Sequence, residues 1–220
     1  MRNHDLHPDT TMNTSRHSPG LITGITLGLL PQFVIIIGIY LFSNAWIALG
    51  IEGFLLGCVL IAWIIRGWRP RLGRIIPRVT IPFTLMHLVS GPVLMLLWRQ
   101  DPENITALLL RLNVHDSQWP LLIFLHCTAV PLFEELYWRG ILFSNSKKPV
   151  LADLFFSLYH AGILAVLLPP ILWPASLVSL AGAAYIWRRL TILGNGIIPA
   201  IILHAAADIS LLITTYWIVH

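Results

Sequence analysis

Seven apolar runs, most of them about twenty residues long, decide most of what this chain can become. A helix needs about 20 apolar residues to cross the hydrocarbon core of a bilayer. Within that core every backbone N–H and C=O must find its partner inside the protein, so helices are the natural solution. The runs are Leu21–Phe42, Ala45–Ile65, Val79–Trp98, Trp119–Phe143, Val150–Leu168, a shorter one at about Ala175–Trp187, and Ile197–Val219. Of the 220 residues, 56% are hydrophobic and 11% charged, whereas soluble domains carry about 25% charged residues. The sequence therefore predicts an all-α, polytopic transmembrane bundle of about seven spans. Residues 21–220 form one integral membrane domain, with the stretch Ile105–Leu112 as a short interfacial helix. Residues 1–20 are polar, carry Pro8, Pro19 and Gly20, and read as a disordered tail. The apolar run that follows is too long for the core of a cleavable signal peptide.

Charge sets the expected orientation. Lys and Arg collect in cytoplasmic loops. With seven spans and a cytoplasmic N-terminus, Arg2, Arg16, Arg66, Arg69, Arg71, Arg74, Arg78, Arg139, Lys147, Lys148, Arg188 and Arg189 fall inside, twelve of the fourteen basic residues. Only Arg99 and Arg111 fall outside. The net charge of +4 is thus read as topology, with the arginine-rich loop 66–78 also attracting anionic lipid. No basic patch interleaved with aromatics on a soluble fold points to nucleic acid. Cys58 and Cys127 lie inside apolar runs, which argues against a disulfide framework, and no CxxC pair points to structural zinc. No cofactor or metal is expected. The partner that composition implies is the lipid bilayer.

Against that apolar background, Glu134 and Glu135 stand side by side in PLFEELYWRG. A single charge at the centre of a spanning helix costs about 2.5–3.5 kcal/mol on insertion scales, and such residues are usually functional. Arg139 follows Glu135 by four residues and shares its helix face. His160 and His204 lie in two other runs. At about 1.5 Å rise per residue, Glu134, His160 and His204 all sit roughly 10–15 Å below one membrane face, the cytoplasmic one. Three ionisable groups at one depth on three helices can converge on a single site. Phe156 shares a face with His160, and Asp208 with His204, each pair four residues apart.

A carboxylate and an imidazole can together activate a water, and a second histidine with a nearby donor can stabilise an oxyanion; peptide hydrolysis needs both. The same residues, Glu134, His160, His204 and Asp208, are also acceptable zinc ligands, although no HExxH helix is present. A third reading is a non-catalytic immunity or scaffold protein.

Three strings carry a family resemblance. EELYWR resembles the EExxxR motif of the CAAX-protease and bacteriocin-processing family, the glutamic intramembrane proteases. FSLYH, ending at His160, is similar to its FxxxH motif. HAAAD, from His204 to Asp208, resembles its third motif, HxxxN, and GNGIIPAIILH resembles the approach to it. The resemblance covers about Trp119–Trp217. It implies an intramembrane endopeptidase in which Glu134 and His160 activate water. His204 and residue 208 would form the oxyanion hole, with Glu135, Arg139 and Phe156 in support. The chain departs from the pattern at Asp208, where the family has Asn, because a carboxylate cannot donate a hydrogen bond. The resemblance in so compact a chain implies a bacterial or archaeal member in a prokaryotic inner membrane, and it favours a membrane-associated peptide or protein as the partner and substrate over a prenylated one.

Glu52, His87 and His126 match no motif and read as structural, with Glu52 a candidate lining for a substrate path. Asp153 reads as a helix N-terminal residue favoured by the dipole. Trp98, Trp119, Trp173 and Trp217 read as interfacial anchors.

Overall fold

The computed structural model describes residues 19–98, 101–142 and 144–220. The expected N-terminal tail lies outside them except for its last two residues. So do Phe143, Arg99 and the side chain of Trp98. Among the described residues there is no strand. Ten α-helices follow one another: α1 Leu21–Ile35, α2 Ala45–Ile65, α3 Pro77–Leu88, α4 Ser90–Trp98, α5 Pro102–Arg111, α6 Trp119–Cys127, α7 Ala129–Glu135, α8 Leu151–Leu167, α9 Trp173–Gly194 and α10 Ile198–Val219. Two of them run on into wider π-turns, α1 through Ile36–Leu41 and α7 through Leu136–Ile141.

Six helical stretches are long and apolar enough to cross a membrane: Leu21–Leu41, Ala45–Ile65, Pro77–Leu96, Asp116–Ile141, Pro170–Gly194 and Ile198–Val219. Helix α8 is apolar but shorter, and with it the bundle approaches the seven passes expected. Large apolar side chains such as Phe54, Ile61, Leu85 and Val178 are exposed on the outer surface, as a lipid-facing surface requires. The protein is an integral, multi-pass membrane protein.

Prolines explain where the long spans break. Pro92 has no N–H, so the carbonyl of Leu88, four residues earlier, has no helical partner. Helix α3 ends there. Ser210 of α10 repairs the gap: its Oγ donates to Leu88 O at 2.7 Å and accepts from Gly91 N at 2.9 Å. Pro131 does the same to Cys127, and the fourth span breaks at Thr128. At the first turn, Ser43 adopts the left-handed conformation and Asn44 caps α2 by accepting from Trp46 N and Ile47 N. The interfacial helix begins three residues before its expected start, because Pro102 suits the first helical position and Asp101 caps it, accepting from Glu103 N.

The sixth span differs from expectation. It is not a short segment closing at Trp187 but α9, which continues through Arg188 and Arg189 to Gly194. The helix survives this charge because Arg188 is fully paired. Its Nη2 and Nε bond Asp153 at 2.8 and 3.0 Å, and its guanidinium also donates to Lys148 O and Ser146 O. Trp119 also departs from expectation. It is 3% exposed and packs edge-on against Tyr216, so it belongs to the core and not to an interfacial belt. Trp173 and Trp217 are exposed.

The arginine-rich loop has a structural task. Arg71 O and Leu72 O accept from Ile197 N and Ile198 N at the start of α10, and Arg74 N donates to Gly194 O. These bonds satisfy amides that a helix N-terminus otherwise leaves without partners. Gly196 makes the approach possible, since a Cβ there would lie 2.2 Å from Gly73 N. Gly73 itself has φ +72°. The loop thereby fixes the helix that carries His204 and Asp208, while its arginine side chains stay exposed.

Candidate active site

The adjacent glutamates are both buried and face different partners. Successive helical residues are about 100° apart, so neighbours in sequence need not be neighbours in the site. Glu135 Oε1 accepts from Arg139 Nη1 at 2.8 Å and from His204 Nδ1 at 2.9 Å. Arg139 sits on the π-turn that follows α7, lies 4.1 Å from the Phe156 ring centroid and 5.2 Å from that of Trp187, and is itself buried. Glu134 points to His160 instead, with 3.6 Å between Oε2 and Nε2.

Hydrogen bonds fix which imidazole nitrogens carry protons. A carbonyl only accepts, so His160 Nδ1, 3.0 Å from Phe156 O, must donate. In the neutral ring Nε2 then presents a lone pair toward Glu134. His204 Nδ1 likewise donates to the Glu135 carboxylate, and its Nε2 looks toward Asp208 Oδ2 at 3.8 Å. That distance is too long for a hydrogen bond. Aromatic rings hold both imidazoles. Phe156 lies 4.1 Å from His160 between centroids, Trp187 lies 4.9 Å from His204, and the two imidazoles are 5.6 Å apart.

All seven residues singled out by motif therefore gather in one cluster, with Glu134, Glu135, Arg139, Phe156 and His204 buried and His160 and Asp208 half-buried. The buried arginines of the bundle are engaged elsewhere than with Glu134, Arg139 with Glu135 and Arg188 with Asp153. Asp153 does sit at a helix N-terminus, accepting from Val150 N at 3.0 Å, but its carboxylate is also the counterion of Arg188.

Sequence reasoning missed three members. Glu52 of α2 accepts from Tyr159 OH at 2.5 Å, and the same hydroxyl lies 3.5 Å from Glu134 Oε1. The carboxyl groups of Glu52 and Glu134 adjoin. Trp187 supports His204 and is anchored from behind, its Nε1 donating to His87 Nε2 at 3.1 Å. His87 is thus structural, as read, but its contact is with a site residue. Tyr159 stood inside the FSLYH string and Glu52 was visible as a charge in an apolar run; no spacing rule tied either to the site.

One ligand atom each from Glu134, His160 and His204 fall within 4.8 Å of one another, close enough to hold a metal ion. Asp208 is not in that group.

Residues 116–210 match the family model described as type II CAAX prenyl endopeptidase Rce1-like. This segment resembles the Rce1-like endopeptidases of the CAAX-protease and bacteriocin-processing family. The Rce1-like segment spans α6 to most of α10 and includes every motif residue named above, whereas α1 to α5 lie outside it. Comparison with curated proteins and with solved structures gives no match. The Rce1-like match supports an intramembrane endopeptidase in general terms, acting on a substrate within or at the membrane.

Proposed function

We propose that this protein hydrolyses a peptide bond in a membrane-associated peptide or protein, using a water activated by Glu134 and His160. One observation carries the reading. Glu134 Oε2 and His160 Nε2 are two acceptors 3.6 Å apart, and Glu134 Oε2 has no hydrogen-bond partner among the described residues. Two acceptors facing one another call for a donor between them. Water has two O–H groups, one for each.

Glu134 takes a proton as the water oxygen attacks the scissile carbonyl carbon. The carbonyl π pair moves onto oxygen and gives a tetrahedral oxyanion. When the C–N bond breaks, the proton held on Glu134 or His160 passes to the leaving amine. His204 is the oxyanion partner. Its Nδ1–H is committed to Glu135, so Nε2 donates only when the ring carries its second proton. Asp208, 3.8 Å from Nε2, is the countercharge for that cation. This gives Asp208 a part that needs no donor, unlike the Asn of the family motif. Arg139 and Glu135 hold His204 in register. With the N-terminus inside, the scissile bond is cut near the cytoplasmic face.

The test uses protein purified into lipid nanodiscs and two quenched-fluorescent probes: an unprenylated apolar membrane peptide and a farnesylated CAAX peptide. The expected result is cleavage of the unprenylated probe, abolished in both Glu134→Ala and His160→Ala while the thermal melt is retained. Cleavage at the parent rate in either variant rejects the reading.

A second reading has its own observation. Both histidines pin Nδ1–H on an oxygen acceptor and aim Nε2 inward, the way metal-bound histidines are oriented. Under that reading Glu134, His160 and His204 bind zinc, which would polarise the substrate carbonyl or a water. Full activity after exhaustive chelation, with metal analysis at background, rejects it; activity lost on chelation and restored by zinc favours it.

A further inference from the structure

The hydroxyl of Tyr159 is a single donor placed between two carboxyl groups. It lies 2.5 Å from Glu52 Oε1 and 3.5 Å from Glu134 Oε1, so Glu52 takes the proton and Glu134 has only a long contact. All three groups are buried: Glu52 is 7% exposed, Glu134 2% and Tyr159 2%. A buried phenol O–H left without an acceptor loses its solvation with nothing in return, so it takes whatever acceptor is in reach. If Glu52 lost its oxygen, the nearest alternative is Glu134 itself.

We infer that Glu52, on a helix outside the Rce1-like segment, is a positioning residue that draws the Tyr159 hydroxyl away from Glu134 Oε1 and so keeps the Glu134 carboxylate basic enough to activate the water at Oε2. The inference rests on the proteolytic reading of the site. Glu52 adjoins the Glu134 carboxyl and also acts on it through Tyr159. The Tyr159 ring is fixed in turn by His160, at 4.8 Å and nearly perpendicular, and by Trp138 at 6.4 Å. The hydroxyl can therefore change partner by a small rotation of the O–H bond and a shift of the freed carboxylate, without rebuilding the core. Removing Glu52 turns the Tyr159 O–H toward Glu134 Oε1, and a hydrogen bond there makes the carboxylate a weaker base toward the water at Oε2.

This arrangement makes an unusual prediction about a pair of variants. Glu52→Leu slows kcat about tenfold or more, a fraction of what a general base contributes, with KM close to the parent value. The double variant Glu52→Leu with Tyr159→Phe recovers most of the rate lost in Glu52→Leu, because no hydroxyl is left to bond Glu134. Glu52→Gln keeps an amide oxygen for the hydroxyl and stays near the parent rate.

The experiment measures kcat and KM for these three variants in nanodiscs, on whichever of the two probes the parent cleaves, with Glu134→Ala as the control. Recovery of rate in the double variant supports the inference, and a purely structural role for Glu52 would not produce it. A double variant as slow as Glu52→Leu overturns it. So does Glu52→Leu at the parent rate, or slow Glu52→Gln. If Glu52→Leu does not fold, Glu52→Met, closer in shape, carries the same comparison. Glu134→Ala at the parent rate would instead reject the proteolytic reading itself, so the two failures are distinguishable.

Discussion

Two glutamates that look interchangeable in the sequence have different partners. Glu135 is held by two cationic or imidazole donors: Arg139 and His204 both donate to its Oε1, while its Oε2, like that of Glu134, has no hydrogen-bond partner among the described residues. Glu134 has no such pair of donors; its Oε1 has the long contact from Tyr159 and its Oε2 faces His160 Nε2. Their isosteric variants should therefore fail in different ways. Glu134→Gln is expected to lose cleavage and keep its melting temperature. Glu135→Gln leaves Arg139 buried without its counterion, and breaking such a pair typically costs about 3–5 kcal/mol, so both stability and activity should fall. Thermal melts and cleavage rates on the same nanodisc samples separate the two. Asp208 offers a third comparison. Asp208→Asn supplies an amide donor and should remain active, whereas Asp208→Ala removes both donor and countercharge and should be slower; an inactive Asp208→Asn with active Asp208→Ala would contradict the part given to this residue. The motif residues were legible because four-residue spacings put Glu135 with Arg139 and His204 with Asp208 on one helix face. Glu52 and Tyr159 were not, because their contact joins helices 107 positions apart and leaves no periodic trace.

At the scale of the element, the long apolar runs were read correctly and their interruptions were not. A hydropathy run does not show that Pro92 frees the Leu88 carbonyl, or that Ser210, from another helix, repairs it. Nor does it show that Arg188 is neutralised by Asp153, and for that reason α9 was read as stopping a full two turns early. Charge was taken as a boundary where pairing had made it a core feature. Asp153→Ala should expose the difference. It strands a buried guanidinium and frees the 144–148 loop that Arg188 grips. The expected outcome is a loss of about 3–5 kcal/mol in stability, seen as a lower melting temperature, with Asp153→Glu less harmful. Gly196→Val should also lower the melting temperature, because its side chain would meet the backbone of Leu72 and Gly73. A Gly196→Val variant as stable as the parent would argue against docking of the arginine-rich loop on α10.

For the whole molecule, the bundle brings residues from α2, α7, α8, α9 and α10 to one cluster while turning large apolar side chains to the outside. The depth argument from sequence anticipated that convergence, since residues at equal distances from one face can meet only if their helices pack together. Orientation remains an expectation from charge. Single cysteines placed at Ser146 and at the C-terminus should label from the cytoplasmic and the opposite side respectively; the reverse pattern would put the site near the other face. The central claim, that Glu134 and His160 together activate a water for peptide hydrolysis, is most directly tested by following cleavage of the unprenylated membrane peptide by mass spectrometry in nanodiscs, with the parent beside Glu134→Gln and His160→Ala. The account predicts two defined product masses from the parent and intact peptide from both variants. The same products formed at the parent rate by either variant would contradict it.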